Sequence, residues 1–372
     1  MNISEAAKIS LLLKFNFSNS QETKSLSPKE FSKLLTYLKS SEEQISSVAS
    51  NSNFLIDIER DLGIKKIRIS RLLSAGYSLS LFLDKWEKRG IWVLCNFDEN
   101  YPINFKIKFK EGYMPILFGV GNKDDLNRSS IGIVGPRECS ISAEKYSKKI
   151  AARCAEELIT VISGGAKGID SSAQESALEN EGLVIHVVAN DLEKESIKEK
   201  NRKYLLKQRL ILLSTELPDA TWSIGRVMGR NKYIHALADA VIVPECNKTS
   251  GGTWAGVIEN LKSKYSSVYF QNSKNNKVNE EFLSKGAISI REINIEKIKN
   301  IKKEIDFANL TVKDIAGFQK KTETAVKSFL TKNKISCLDY PTEKKAKVSK
   351  TIKNLNIERQ KDLFGNSDVL DD

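Results

Sequence analysis

Short apolar runs alternate with amphipathic stretches through the middle of this chain. The runs are too short for helices, whereas the stretches between them repeat apolar residues at helical spacing. The predicted strands are 131–135, 160–163, 183–189, 210–214, 240–245 and 267–271. The predicted helices between them are 141–158, 170–180, 196–207, 227–237 and 253–264. This alternation is typical of crossover units, so we predict an α/β fold with a Rossmann-like, doubly wound and mostly parallel sheet over residues 91–292.

The flanking residues show different patterns. Helical periodicity in short pieces predicts a small α-helical domain over residues 1–90, where Ser27-Pro28-Lys29-Glu30 has the sequence of a helix start. A Lys- and Ile-rich linker is predicted at 293–305. Residues 306–345 fit two short helices, which would form either a winged-helix module or an ordinary helical hairpin. Residues 346–372 are predicted to be a basic tail.

Charge is the compositional feature that points to a partner. The 372-residue chain has a formal net charge of +12. Residues 291–361 hold 18 Lys and Arg against 9 Asp and Glu, so most of the excess lies in this segment. A basic segment is often only a solvated surface, but it also favours a polyanion such as nucleic acid.

Composition argues against several other classes of protein. The five cysteines include no C-x-x-C pair and the chain has only two histidines, so we expect neither a metal site, a disulfide framework nor a cofactor. No apolar run approaches the roughly 18 residues that span a bilayer. The start of the chain, Met1–Lys8, lacks the pattern of a secretory signal. We therefore expect a cytoplasmic protein with no membrane partner.

Two glycine turns carry the most information about function. Ile133-Val-Gly-Pro-Arg137 and Ser163-Gly-Gly-Ala-Lys-Gly168 each follow a predicted strand and precede a predicted helix. Turns at the carboxyl ends of parallel strands offer backbone N–H groups to anions, and a helix dipole supports them. The alternative is that the glycines only make tight strand-to-helix connections. The spacing differs from G-x-G-x-x-G, so a nicotinamide cofactor is not expected.

Two later segments add cations and hydroxyl groups to the predicted crevice. One lies around the start of helix 227–237 and the other follows strand 240–245. With the glycine turns, they give the predicted nucleic-acid-binding residues Arg137, Ser163, Gly164, Gly165, Lys167, Gly168, Arg226, Arg230, Asn231, Lys232, Lys248, Ser250 and Gly251. Asn231 would bond a base edge or hold its own loop. Asp170 is predicted to cap the following helix. Trp222 and Trp254 are candidate stacking platforms for bases, with packing in the core as the alternative.

These motifs, in this order, resemble the DNA-processing protein A (DprA/Smf) family. The quoted turns match I-V-G-S-R and S-G-x-A-x-G-I-D of that family, and Arg230-Asn-Lys-Tyr-Ile234 and Val243-Pro-Glu245 match its later motifs. The resemblance implies a Rossmann-like protein that binds and protects single-stranded DNA, dimerises, and loads RecA recombinase in DNA uptake, natural transformation (competence) or recombination. It covers residues 100–270.

Some residues depart from the family pattern. Pro136 replaces a small hydroxyl residue, Gln174 replaces a histidine and Lys232 replaces an arginine. Gly252-Thr-Trp-Ala-Gly256 stands where the family usually has S-L-x-T-A. The positive charge at position 232 is retained. We therefore expect phosphate binding to be kept, with changes in contacts to bases or partners.

A separate motif lies in the tail. Gln360-Lys-Asp-Leu-Phe364 resembles the Q-x-x-L-F pentapeptide through which bacterial proteins bind the replication sliding clamp. Gln360, Leu363 and Phe364 would make the contact. The alternative is a frayed terminal helix in which Leu363 and Phe364 pack against the protein.

The main hypothesis is therefore a single-stranded-DNA-binding protein without catalytic activity. A nucleotide-binding or nucleotide-hydrolysing enzyme of the related phosphoribohydrolase superfamily is the first alternative. Its P-G-G-x-G-T-x-x-E motif is partly matched by Ser250–Thr253 with Glu259, although the glutamate is displaced. A winged-helix transcription regulator acting through residues 306–345 is the second alternative.

Overall fold

The computed structural model describes residues 3–17, 23–109, 114–246, 251–271 and 279–290. These residues fall into two compact units. The first unit comprises the residues up to Asn127 together with Ile185–Tyr233. The second unit comprises Arg128–Val184 and the described residues from Ile234 onward. The predicted linker, the 306–345 module and the basic tail lie outside the described residues.

Helices and strands alternate along most of the described chain. The helices are α1 (Glu5–Lys14), α2 (Pro28–Ser40), α3 (Ser47–Ser50), α4 (Ser52–Leu62), α5 (Lys66–Leu73), α6 (Gly76–Lys88), α7 (Ile103–Lys108), α8 (Ile141–Glu156), α9 (Ile169–Glu179), α10 (Leu192–Ile197), α11 (Glu199–Leu206), α12 (Ile224–Leu237), α13 (Gly252–Ser263) and α14 (Asn279–Ser284). The strands are β1 (Trp92–Leu94), β2 (Leu117–Val120), β3 (Ser130–Ile133), β4 (Thr160–Ser163), β5 (Val184–Val187), β6 (Leu210–Ser214), β7 (Ala240–Val243), β8 (Ser267–Gln271) and β9 (Ile288–Ile290). A short 3₁₀ turn covers Lys123–Asn127.

The sheet of the second unit is parallel. Strand β3 pairs with β4 on one side and β7 on the other, and β7 continues through β8 to β9. Every residue of β3, β4 and β7 is buried, which explains why these strands are continuous apolar runs without alternation. The predicted Rossmann-like, mostly parallel α/β fold is confirmed.

The first unit contains antiparallel strand pairs. Strand β2 pairs antiparallel with both β1 and β6. Trp92 lies opposite Gly119, where an added Cβ would come within 2.4 Å of the indole ring. The Trp92 Nε1–H donates to the Gly121 carbonyl at 2.8 Å. A glycine at position 119 therefore makes room for the tryptophan that covers this edge.

One predicted element is wrong in detail. The predicted helix 196–207 is two helices, α10 and α11, which meet at Lys198. The backbone at Lys198 is extended, with φ −58° and ψ 130°, so it cannot continue the helical hydrogen bonds. Asn201 bridges the break, because its side-chain amide donates to the Glu195 carbonyl at 2.8 Å.

The amino-terminal helices bury an apolar cluster. Leu34 on α2, Ile58 on α4 and Ile69 on α5 are completely buried in one apolar cluster. Within α2, the buried residues Phe31, Leu34, Leu35 and Leu38 recur at the three- and four-residue spacing that places side chains on one helix face. Apolar burial therefore holds α2, α4 and α5 together.

Glu30 connects the start of α2 to α5. Its carboxylate accepts the N–H of Ser27 at 2.8 Å, while the Ser27 hydroxyl accepts the N–H of Glu30. The same carboxylate accepts two hydrogen bonds from the Arg68 guanidinium. These hydrogen bonds, the largest from Arg68, lower the pKa of Glu30 from 4.5 to about 2. The capping box is thus also an ion pair between two helices.

Replacing this carboxylate should weaken the first unit in a pH-dependent way. We expect Glu30→Gln to lower the free energy of unfolding by about 1 kcal/mol at neutral pH. Because the folded pKa is lowered, the contribution is complete above about pH 4.5 and is lost as the pH falls through about 2. Urea unfolding across this range measures it, with the exposed Glu42→Gln as control. A difference that does not change with pH would contradict the assignment.

Candidate nucleic-acid interface

The two glycine turns lie side by side in the second unit. The first turn follows β3 and the second follows β4, and these strands pair in parallel, so both turns leave the same edge of the sheet. An added Cβ on Gly135 would lie 2.5 Å from the Ile169 side chain. An added Cβ on Gly168 would lie 2.6 Å from the Arg137 carbonyl oxygen, and Gly168 has φ +92°. Glycine is required at both positions because the turns touch.

Asp170 joins the two turns. One carboxylate oxygen accepts the N–H of Gly135 at 3.2 Å and the other accepts the N–H of Gly164 at 3.1 Å. The predicted role of Asp170 as a helix cap is wrong, because α9 begins at Ile169 with Gly168 at the cap position and no side-chain cap. The carboxylate is buried in the second position of the helix and is directed back toward the turns.

Ser163 makes a second connection between the strands. Its hydroxyl donates to the Ile133 carbonyl at 2.6 Å, and the residue is completely buried. The sequence predicts that Ser163 and Gly164 donate to phosphate. In the structure, the Ser163 hydroxyl and the Gly164 N–H instead both have partners inside the protein. Gly165 lies in the second turn with φ +65°.

A third loop is connected to the first turn by another carboxylate. Glu245 follows β7 and accepts hydrogen bonds from both the N–H and the hydroxyl of Ser140, at 3.1 and 2.5 Å. Ser140 is the N-cap of α8 and also accepts the N–H of Ala143. An anion at a helix N-terminus is stabilised by the dipole and by the free N–H groups. Here a side chain of the protein supplies that anion.

Arg137 and Lys167 are directed outward from the two joined turns. Both side chains are exposed. Over the described ranges, neither forms an ion pair or a side-chain hydrogen bond. The turns thus have carboxylates on the inside and uncompensated cations on the outside, which is the arrangement that attracts a phosphate backbone.

The other predicted cations lie on α12 in the first unit. Arg230 is only 7% exposed and its guanidinium donates to the Val187 carbonyl at 2.8 Å, at the end of β5. Arg226 pairs with Glu216 at 3.3 Å and donates to the Thr221 carbonyl. These contacts position the first turns of α12, so neither arginine is displayed as Arg137 is.

Lys232 and the two candidate base-stacking residues, Trp222 and Trp254, have different surroundings. The Lys232 ammonium lies 4.9 Å from the centre of the Tyr233 ring, and that ring packs edge-on against Phe105. Asn231 is partly buried. Trp222 is 59% exposed just before α12, which rules out the core-packing alternative for this residue. Trp254 is partly buried near the start of α13.

Several predicted residues cannot be placed. Lys248 and Ser250 lie outside the described residues, as do Gln360, Leu363 and Phe364. Gly251 is described and is exposed, with φ +96° directly before α13. The structure therefore brings Arg137, Lys167 and Asp170 together in the second unit and places the α12 residues in the first.

Three of the described thiols are unreactive at neutral pH. Burial raises the pKa of the Cys95, Cys154 and Cys246 thiols to about 12, so none is a reactive thiolate at neutral pH. Within the described part of the chain, no cluster of three or more His, Cys, Asp or Glu side chains is arranged to hold a metal ion. No described helix combines the length and apolar character needed to cross a membrane.

Comparison with known families agrees with this geometry. The model of the family described as DNA recombination-mediator protein A matches residues 92–301, more than half of the chain. The chain belongs to this family. The resemblance to DprA/Smf proteins that the motifs indicate is thereby confirmed, and the match includes both glycine turns, α12 and the Glu245 loop.

Two members of the DNA recombination-mediator protein A family show how far the likeness extends. DNA processing protein DprA of Streptococcus pneumoniae is 34% identical over 138 residues, which are 37% of this chain and 48% of the relative. A putative DNA processing protein DprA of Mycobacterium tuberculosis is 28% identical over 144 residues, 38% of this chain and 37% of the relative. The aligned part is less than half of either relative.

The fold is also that of a family member. The X-ray structure of DprA from S. pneumoniae matches with a TM-score of 0.58 and 22% sequence identity, covering 78% of this chain and 95% of that chain. At this identity the likeness supports the architecture alone.

The sequence patterns did not predict the contacts that the Asp170 and Glu245 carboxylates make beside the glycine turns of this chain. Glu245 and Ser140 are 105 residues apart, and Asp170 and Gly135 are 35 residues apart. Two features of the sequence could have indicated these contacts. Glu245 follows a strand end and Asp170 stands at a helix start, and both lie beside turns that have free N–H groups. Because a carboxylate can occupy such donors as well as a phosphate can, acidic residues at these positions indicate internal contacts.

Among the acidic residues of α9, Asp170 should contribute most to the stability of the second unit. We expect Asp170→Ala to lower the free energy of unfolding by about 2–4 kcal/mol, because the Gly135 and Gly164 N–H groups lose their acceptor. Urea unfolding measures the loss. Glu175→Ala, an exposed acid on the same helix, should change stability by less than about 0.5 kcal/mol. Equal effects of the two substitutions would refute the connecting role.

Proposed function

We propose that this protein binds single-stranded DNA through Arg137 and Lys167 on the joined turns, without catalytic activity. The observation that supports this most directly is that both cations are exposed and uncompensated, while the N–H groups of Gly135, Gly164 and Ser140 are occupied by Asp170 and Glu245. Membership of the DNA recombination-mediator protein A family supports DNA as the polyanion. Taken by itself in the first unit, the exposed indole of Trp222 is suited to contact a base.

The occupied donors also decide what kind of ligand fits. A mononucleotide is held tightly when several backbone N–H groups surround its phosphate. Here the N–H groups of Gly135, Gly164 and Ser140 already bind carboxylates. Exposed cations without a cradle suit a repeating phosphate backbone, whose affinity comes from many weak contacts and from counterion release. This favours DNA binding over the phosphoribohydrolase alternative.

The wider role is the one that the resemblance to the DprA/Smf family implies. We infer that the protein protects single strands and delivers them to RecA in recombination or DNA uptake, that it acts as a homodimer, and that it works in the cytoplasm where such strands occur. Docking on the sliding clamp through Gln360, Leu363 and Phe364 is a separate proposal. The family match supports the DNA-processing part of this role.

Removing the two exposed cations should weaken binding in a salt-dependent way. We expect Arg137→Ala with Lys167→Ala to reduce the slope of log affinity against log salt by about 1.4, since each lost phosphate contact accounts for roughly 0.7 on a single strand. Fluorescence anisotropy with a labelled oligothymidylate at several salt concentrations measures the slope. Lys262→Ala with Lys264→Ala is the matched control, because it removes two exposed cations at the far end of α13. Loss of slope in the control alone would overturn the proposal.

Small phosphates should compete poorly with the strand. We expect inorganic phosphate or a nucleoside monophosphate to displace oligothymidylate no better than chloride at equal ionic strength, because the N–H groups of Gly135, Gly164 and Ser140 already bind carboxylates. Glu245→Ala frees the N–H and hydroxyl of Ser140, so phosphate should then compete more strongly than chloride. Release of free base from the monophosphate by the wild-type protein would instead favour the enzyme.

A further inference from the structure

A second basic surface lies on the first unit. Residues 198–209 contain six Lys or Arg and one acidic residue, Glu199. The central part of this segment is α11. Lys200, Arg202 and Lys203 are all exposed on it.

Neighbouring cations on α10 are neutralised, whereas those on α11 are not. Lys194 pairs with Asp191 at 2.7 Å, and Lys198 pairs with Glu195 at 2.5 Å. Lys200, Arg202 and Lys203 form no ion pair with any residue that the structure describes. Cations one turn apart on a helix repel one another when no carboxylate lies between them. An external anion would relieve that repulsion.

The orientation of α11 is fixed by a buried residue. Asn201 is 7% exposed, and its amide donates to both the backbone carbonyl and the carboxylate of Glu195. With Asn201 held inward, its neighbours Lys200 and Arg202 are directed to solvent. The basic face is therefore displayed by a well-packed helix.

An aromatic ring accompanies the cations. The Lys203 ammonium lies 5.3 Å from the centre of the Tyr204 ring, which is partly exposed. Cations that follow a backbone, together with aromatic rings on which bases stack, are the combination used by proteins that bind single-stranded nucleic acid. A surface for an acidic protein would need the charges but not the ring.

We propose that α11 is a second contact surface for the single strand, with Lys200, Arg202 and Lys203 binding phosphates and Tyr204 contacting a base. This rests on the proposed function and extends it, because it gives the first unit a contact that is independent of the glycine turns. Arg202 would hold a phosphate by two hydrogen bonds, which its planar guanidinium allows.

Lysine acetylation of the full-length protein tests the location directly. Saturating oligothymidylate should reduce acetylation of Lys200 and Lys203, while Lys29 and Lys33, exposed cations on α2, should remain reactive. Peptide mass spectrometry measures each site. Unchanged reactivity of Lys200 and Lys203 in a complex that has formed would overturn this inference and leave the proposed function intact. Equal protection by poly-glutamate of matched charge would also overturn it, in favour of an acidic protein partner.

A charge-matched pair of variants tests the energetic contribution. Lys200→Gln, Arg202→Gln and Lys203→Gln together should reduce the salt slope for oligothymidylate by about 2. Lys24→Gln, Lys29→Gln and Lys33→Gln together remove the same charge from exposed positions and should leave the slope unchanged. Equal slopes for the two variants would overturn the inference. Absence of any binding by the wild-type protein would overturn the proposed function as well.

Discussion

The two hydrogen bonds that Asp170 accepts from Gly135 and Gly164 are the interaction on which the candidate interface depends. They fix the separation of two turns that leave neighbouring strands, and they do so with a charged acceptor, which forms stronger hydrogen bonds than a neutral one. Gly135 and Gly168 permit the contact because a side chain at either position would collide with the opposite turn. The positions of Arg137 and Lys167 follow from this arrangement.

Negative charge inside the turns and positive charge outside them have different consequences. The inner carboxylates of Asp170 and Glu245 satisfy backbone donors, so the turns keep their shape without a ligand. The outer cations have no such internal partner among the described residues, and their free energy depends on ions in solution. A rigid base with solvent-facing cations suits a partner that is recognised by charge density more than by the shape of one group.

The sequence allowed the fold and the location of the turns to be predicted, because both depend on local patterns. Apolar runs bounded by glycine identify strands such as β3 and β4 with small errors at their ends. The orientation of side chains depends on residues far apart in the chain and was predicted less well. Asp170 stood at a helix start and was interpreted as a cap, although its partners include Gly135 in the turn after β3. Arg230 matched a cationic motif, yet it is buried against the Val187 carbonyl.

Burial of Arg230 has a consequence for how the first unit responds to its surroundings. A guanidinium keeps its proton at every pH that a cell experiences, whereas a buried lysine can release its own. The hydrogen bond from Arg230 to the end of β5 therefore persists in acid and alkali alike. This one contact of α12 is thus insulated from changes in acidity, and a lysine at position 230 would make it responsive to them.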